Sequence, residues 1–146
     1  RSVATIELDY SETKNGDVAG FAALRDKTAW IGIKKQDGKT RLVTTTDVEL
    51  DKKWNTSNKG VETTSLEIKG NKIWLRIDAD IRTTEDGGTA LFYYSTDGVK
   101  FLPLGDRFIM KRDWPYFQGY RFGIFNYATQ ALGGSVRVIS FDAAKP

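Results

Sequence analysis

The chain is expected to fold as an all-β protein, an antiparallel β-sandwich or jelly roll. Apolar and polar residues alternate with a period of two along most of its 146 residues, which is the pattern of strands that bury one face. Gly, Asn and Asp interrupt these segments about every ten residues, and no amphipathic helical segment lies between them. Short, evenly spaced strands indicate one sandwich domain spanning residues 1–146.

The first half of the chain is expected to contain four strands. The segment VATIELDY alternates and ends at the turn-forming residues SETKNGD. GFAAL and AWIGIKK follow, separated by the charged turn RDKT, and QDGK then indicates a hairpin because Asp-Gly readily adopts positive φ. KTRLVTTTDVEL is the fourth strand, and the polar stretch DKKWNTSNKG, which holds one Trp, comes after it.

The second half is expected to form two further pairs of strands and a closing pair. TTSLEIKG and KIWLRIDADIRT are predicted to form a hairpin around Asn71 and Lys72, and TEDGGT then turns the chain. ALFYYSTDGVKFLPLG contains two short strands around the turn at residues 95–98. GYRFGIFNYA and GSVRVISFD close the chain, with TQALGG between them.

The composition excludes several kinds of site. The chain has no Cys and no His, which excludes a disulfide scaffold, a thiolate nucleophile and a Ser-His-Asp triad. Its net charge of +3 comes with no run of five like charges, so nucleic-acid binding has little support. No apolar run approaches the ~20 residues of a membrane helix, and the first ten residues lack the apolar segment of a signal peptide.

Alternation assigns the residues of three strands to two faces, one apolar and one that mixes aromatic with charged side chains. The apolar sets are Ile73, Leu75, Ile77, Ala79 and Ile81; Ala29, Ile31 and Ile33; and Tyr120, Phe122 and Ile124. The mixed sets are Trp74, Arg76, Asp78 and Asp80; Trp30 and Lys34; and Arg121, Phe125 and Tyr127.

A mixed face of this kind is typical of sugar recognition. The C–H face of a pyranose packs on an aromatic ring, and its hydroxyls bond to guanidinium donors and carboxylate acceptors. The predicted carbohydrate-binding residues are therefore Trp30, Lys34, Trp74, Arg76, Asp78, Arg121, Phe125 and Tyr127. The alternative is ordinary cross-strand packing of the aromatics, with Arg76 and Asp78 as an ion pair.

Glycoside hydrolysis needs only two carboxylates, so Asp78 and Asp80 have to be weighed as a catalytic pair. Their Cα atoms are expected roughly 6–7 Å apart on one strand face, which is permissive for a retaining mechanism. Hydrolytic jelly rolls, however, carry a denser run of the Glu-x-Asp-x-x-Glu type, and IDADIRTTE does not fit it. No catalytic residue is predicted, and the chain is not expected to be an enzyme by itself.

No cofactor is predicted, although carboxylates near the turns leave calcium as an alternative. Asp80 and Asp142 are the candidate ligands. Glu7 and the acidic residues around Glu85 could add oxygen atoms, but no loop has EF-hand spacing. Acidic residues in turns are more often simple turn formers.

Several motifs in order resemble the C-terminal concanavalin A-like domain of glycoside hydrolase family 43 β-xylosidases and arabinofuranosidases. They are GDVAGFAAL with AWIGIKK, IWLRIDADI, LFYYSTDGVKFLPLG, and YFQGYRFGIFNYAT with GGSVRVISFD. The resemblance covers roughly Val3 to Asp142. It starts after the one or two strands that usually open the family domain, so an exposed sheet edge or an exposed part of the core is expected.

The resemblance implies a two-sheet jelly roll that accompanies a catalytic five-bladed propeller. It implies a non-catalytic accessory module whose partners are the catalytic domain and a plant cell-wall polysaccharide, xylan or arabinoxylan, in an extracellular or periplasmic location. The alternative is a structural domain that packs on the propeller and completes its active-site rim without binding glycan. Trp30, Trp74, Arg76, Arg121, Phe125 and Tyr127 would share one concave face, and Trp114, Tyr116 and Phe117 would lie at a rim or docking edge.

Overall fold

The computed structural model describes residues 1–82, 84–85, 87–113 and 119–145. These residues form two antiparallel sheets packed face to face, so the predicted all-β sandwich is confirmed. No helix long and apolar enough to cross a membrane occurs in this part of the chain. The strands are β1 (Ser2–Asp9), β2 (Asp17–Leu24), β3 (Lys27–Gln36), β4 (Lys39–Leu50), β5 (Thr56–Ile68), β6 (Lys72–Asp80), β7 (Thr89–Ser95), β8 (Leu102–Pro103), β9 (Phe108–Ile109), β10 (Arg121–Ala128) and β11 (Arg137–Ala144).

The two sheets, here called sheet A and sheet B, take their strands from different parts of the chain. Sheet A has the order β11-β1-β6-β7-β8, with β9 also paired to β7. Sheet B has the order β10-β2-β3-β4-β5. Both chain ends therefore lie in sheet A, where the first strand is paired with β6 on one side and with the last strand on the other.

The core between the sheets contains the apolar faces that alternation predicts. Ile73, Leu75 and Ile77 of β6 are fully buried, and Ile31 and Ile33 of β3 meet them from sheet B. Burying each such side chain stabilises the fold by about 1.5–3 kcal/mol. The mixed faces consequently point away from the core, on the two outer surfaces of the sandwich.

The predicted hairpin at QDGK is confirmed. β3 and β4 pair through Gln36 and Lys39, and the two residues between them, Asp37 and Gly38, have φ of 51° and 73°. Positive φ at both central residues is what a type I′ turn requires, and this turn matches the right-handed twist of the strands that it joins.

Two other predictions about strands are wrong. β5 and β6 do not form a hairpin, because β5 is the edge of sheet B and β6 lies inside sheet A. The turn at Asn71 carries the chain across the sandwich instead. Ile81 does not continue the buried face of β6, since it lies past the end of the strand with 60% of its surface exposed.

An exposed apolar edge is present where β10 and β11 end the two sheets. Each of these strands pairs on one side only, β10 with β2 and β11 with β1. Ile124 of β10 and Phe141 of β11 are exposed although each lies level with a core residue of the neighbouring strand. Phe141 still contacts the core edge-on through Phe21, at 6.2 Å between ring centroids.

Candidate functional site

The predicted site residues lie on two separate surfaces. Trp74, Arg76 and Asp78 are on the outer face of sheet A, whereas Trp30 and Lys34 are on the outer face of sheet B. Arg121, Phe125 and Tyr127 join Trp30 and Lys34, because β10 belongs to sheet B as well. The expectation of one shared concave face is therefore wrong for Trp74 and Arg76, which lie on sheet A. Alternation tells which residues point outward from a strand, but not which sheet the strand joins.

A groove of about 840 Å³ runs over the outer face of sheet B. Strand register aligns its side chains in three rows that cross the sheet. The first row is Tyr127, Val18, Lys34 and Arg41; the second is Phe125, Gly20, Gly32 and Val43; the third is Gly123, Ala22, Trp30, Thr45 and Glu62. Aromatic rings, cations and small residues thus alternate over one continuous surface.

The floor of the groove is an aromatic pair set over two glycines. Trp30 and Phe125 meet edge to face, with ring centroids 5.0 Å apart and an interplanar angle of 78°. A Cβ on Gly20 would lie 3.0 Å from Cζ of Phe125, so only glycine leaves room for this ring. Trp30 itself is only 7% exposed. It supports the groove from below and is not the open stacking platform that the sequence led us to expect.

Tyr127 is the aromatic residue that the groove presents to solvent. It is 51% exposed, and its ring stacks on Phe125 at 25° with 6.1 Å between centroids. Partial burial raises the pKa of its phenol, so the hydroxyl stays protonated and can donate a hydrogen bond at neutral pH. A sugar ring could therefore pack on this face and bond to the hydroxyl at its edge.

The charged wall of the groove is organised around Glu62. One carboxylate oxygen lies 3.3 Å from Nζ of Lys34, and the other lies 3.3 Å from Nη1 of Arg41. Burial raises the pKa of Glu62, but the hydrogen bond from Arg41 and the charge of Lys34 outweigh it and hold the pKa below its ordinary value. Lys34 also lies over the Trp30 ring, 5.7 Å from its centroid. The wall offers fixed donors and one ionised acceptor.

Two residues that line the groove have a buried oxygen without a hydrogen-bond partner among the described residues. They are Asp17, through Oδ1, and Thr45, through Oγ1. Asp17 is 3% exposed and Thr45 is 4% exposed. Both oxygen atoms lie beneath the surface of the groove and are closed to solvent.

The outer face of sheet A is occupied by contacts within the chain. The Arg76 guanidinium lies 3.5 Å from the centroid of the Phe101 ring and donates to the Thr5 hydroxyl at 2.9 Å. The turn at Gly98 covers the Trp74 ring. Asp78 forms an ion pair with Arg1. The packing of Trp74 fits the alternative, but Asp78 pairs with Arg1 and not with Arg76. The predicted contact of these residues with sugar stays a prediction.

Asp80 is held by an arginine. Arg82 donates from Nε at 2.9 Å and from Nη2 at 2.6 Å, and these bonds lower the pKa of Asp80 far below its ordinary value. A general acid needs a raised pKa, whereas the pKa of Asp80 is lowered, so the environment of this carboxylate favours its ionised form. Arg82 also occupies both oxygens that calcium would need. Among the described residues, no group of three His, Cys, Asp or Glu side chains is placed so that it could hold a metal ion. Calcium binding at Asp80 and Asp142 stays the alternative that the sequence offers.

The sequence prediction did not include Trp54 among the site residues. Trp54 lies in the turn after β4, in a stretch without alternation. The only sequence signal that could have marked it as a site residue is a single Trp among turn-forming residues. The predicted rim residues Trp114, Tyr116 and Phe117 lie outside the described residues.

Two sheets with jelly-roll topology and an outer groove define the class of concanavalin A-like sandwiches. The model of one family, the β-xylosidase C-terminal concanavalin A-like domain, matches residues 1–144. The chain belongs to this family, as the resemblance of its motifs predicted, and it is a domain of GH43 glycoside hydrolases. A search of curated proteins found no match.

Solved structures support the same assignment. A GH43 glycoside hydrolase engineered to display both endo-xylanase and exo-arabinofuranosidase activity is 38% identical, with a TM-score of 0.90 over 98% of this chain. A bifunctional GH43-CE protein of Bacteroides eggerthii is 28% identical, with a TM-score of 0.83 over 98% of this chain. BlXynB of Bacillus licheniformis, at 14% identity, shares the fold with a TM-score of 0.71 over 97% of this chain. The chain spans 29%, 17% and 27% of these proteins, respectively.

Proposed function

We propose that the chain is a non-catalytic carbohydrate-binding module that holds xylan-type polysaccharide in the groove of sheet B. The observation that carries the proposal is the groove itself, in which an exposed Tyr127 stacks on Phe125 in the same groove as the charged wall around Glu62. The aromatic faces match the C–H face of a sugar, and the charged wall offers donors and an acceptor to its hydroxyls. The module would serve a secreted enzyme, outside the cell or in the periplasm.

The choice of xylan rests on the relatives. The 38% identical GH43 structure is described with endo-xylanase and exo-arabinofuranosidase activity, which act on xylan and its arabinose substituents. The shape of the groove is compatible with a polymer. Its surface is open, so a polysaccharide chain can pass across both edges of the sheet without a deep, closed pocket. We expect affinity in the millimolar to micromolar range.

Affinity electrophoresis and isothermal titration calorimetry against xylan, arabinoxylan and cellulose test the proposal. The chain should bind xylan or arabinoxylan, and Tyr127→Ala should weaken binding about tenfold, since one well-placed aromatic contact is worth roughly 1.4 kcal/mol. Trp74→Phe is the matched control on sheet A and should bind like the wild type. If the wild type binds none of the three polysaccharides, the proposal is refuted.

A second function is favoured by the apolar edge at β10 and β11. Ile124 and Phe141 leave apolar surface exposed there, and such surface often marks a contact with another domain. The chain would then pack on a GH43 catalytic domain and complete its active-site rim without binding glycan independently.

Comparing the parent enzyme with a form that lacks this domain separates the two functions. Packing predicts a lower melting temperature and lower activity on small chromogenic substrates after deletion. Glycan binding alone predicts that these values are kept, while activity on insoluble xylan falls. Unchanged melting and unchanged small-substrate activity would contradict the packing function.

A further inference from the structure

Trp54 is the most exposed of the three Trp residues that the structure describes, with 54% of its surface accessible. It lies in the short turn between β4 and β5. Its φ is +64°, a region that bulky side chains rarely adopt. The chain therefore holds a large aromatic ring in solvent on a strained backbone, which needs a physical reason.

Hydrogen bonds to Asp51 fix the turn in this conformation. The Trp54 N–H donates to the Asp51 carbonyl at 2.9 Å. Oδ1 of Asp51 accepts from the N–H groups of Lys53 and Asn55 at 2.8 and 2.9 Å. Strained residues persist where their surroundings over-determine them, and they are concentrated at binding and catalytic sites.

The Trp54 ring borders a cavity of about 330 Å³ that continues the groove. Leu24 lines both spaces, and Arg121 lines the smaller one. Within the described residues the Arg121 guanidinium has no hydrogen bond or ion pair, so its donors are available. Arg25, which also lines the cavity, is different, because its guanidinium is bonded to Asp113 at 2.9 Å and to the Lys111 carbonyl at 3.1 Å.

We propose that Trp54, Leu24 and Arg121 form a second subsite, which takes the sugar unit next to those held in the groove. The indole stacks on the C–H face of that unit, and Arg121 donates to its hydroxyls. The proposal rests on the proposed glycan-binding function and extends the bound length of the polymer. A rigid turn suits this role because a pre-set ring loses little conformational freedom on binding.

The test is the dependence of affinity on the length of the ligand. Wild-type chain, Trp54→Gly and Trp54→Phe are titrated calorimetrically with xylo-oligosaccharides from the disaccharide to the hexasaccharide. Trp54→Gly should bind the hexasaccharide about tenfold more weakly than the wild type does, and the disaccharide equally well. Trp54→Phe keeps an aromatic face and should retain most of the hexasaccharide affinity.

Thermal melting separates this role from a structural one. Glycine adopts positive φ without strain, so Trp54→Gly should melt at the same temperature as the wild type or higher. Equal affinities of Trp54→Gly and the wild type for every length would overturn the second subsite and leave the groove intact. A wild type that binds none of the oligosaccharides would instead overturn the proposed function, and the subsite with it.

Discussion

Trp30 and Tyr127 show how differently two aromatic residues of one surface can act. Trp30 is buried between Lys34 and Phe125, whereas Tyr127 stands half exposed above the same floor. A buried ring contributes chiefly to stability, and an exposed ring contributes to binding. The two roles can be separated by mutation.

Trp30→Ala should lower the free energy of unfolding by about 3–5 kcal/mol, as truncation of a buried Trp usually does. Tyr127→Ala should change it by no more than about 0.5 kcal/mol, because its side chain is largely at the surface. Urea unfolding followed by fluorescence or circular dichroism measures both values. A similar loss of unfolding free energy in the two variants would contradict the assignment of Trp30 to the floor of the groove and of Tyr127 to its exposed surface.

Gly32 carries a prediction about backbone packing. A Cβ at this position would lie 2.3 Å from the Ala19 carbonyl oxygen and 2.8 Å from Cα of Gly20, both of them backbone atoms that cannot move aside. Gly32→Ala should therefore destabilise the chain by about 1–3 kcal/mol. Gly119→Ala is the control, since no atom of the described residues lies within 4 Å of its Cβ. Equal melting temperatures for the two variants would count against the close approach of β2 and β3.

The turn between β7 and β8 depends on one carboxylate. Asp97 accepts hydrogen bonds from the N–H groups of Val99 and Lys100 at 2.8 and 2.9 Å and from the Ser95 hydroxyl at 2.9 Å. These bonds lower the pKa of Asp97 below its ordinary value. The same turn places Gly98 against the Trp74 ring. By holding the turn in place, the Asp97 carboxylate keeps the Trp74 ring covered.

Asp97→Ala should loosen the turn and expose Trp74. The fluorescence of Trp74 should shift to longer wavelength and become easier to quench with acrylamide. Glycan binding in the groove of sheet B should stay unchanged. Lys100→Ala, which removes an exposed side chain from the same turn, is the control. An unchanged spectrum for Asp97→Ala would contradict this account of the turn.

Strands and their faces were predictable from the sequence, but their partners were not. Alternation in β6 and β3 identified the core-facing residues within these strands, since a period of two follows from strand geometry alone. It failed for Ile81, which lies past the end of β6, and it did not reveal that Trp30 is buried on the outer face. It could not show that β5 and β6 belong to different sheets, because a turn that crosses a sandwich and a hairpin turn use the same residue types. That ambiguity led to the wrong β5–β6 hairpin and to the wrong placement of Trp30 and Trp74 on one face. Trp54 was not predicted as a site residue because it lies in a turn, where no alternation assigns side chains to a face.

Several carboxylates make the stability of the complete sandwich sensitive to acid. Hydrogen bonds from the Ser11 hydroxyl and backbone lower the pKa of Asp9 to about 2, and the Arg82 hydrogen bond lowers that of Asp80 further. A depressed pKa in the folded state stabilises the fold above the ordinary pKa of 3.8, and this stability is lost as pH falls through the folded value.

The melting temperature should therefore be constant between pH 5 and 7 with respect to these groups and should fall from about pH 4 towards pH 2, by a modest amount because solvent screens exposed carboxylates. No His is present to add a transition near neutral pH. Asp9→Asn should flatten part of the acid slope, whereas replacement of Asp37, at the exposed β3–β4 turn, by Asn should not. A melting temperature that rose on acidification would contradict the prediction.

The position of β1 between β6 and β11 has a consequence for biosynthesis. Once it has been synthesised, β1 must wait for residues 72–80 before it gains one neighbour and for residues 137–144 before it gains the other. Sheet B can assemble most of its strands earlier, while sheet A stays open on one side until β11 has been synthesised. During that interval the domain carries an unsealed interior, and protection by chaperones then matters most.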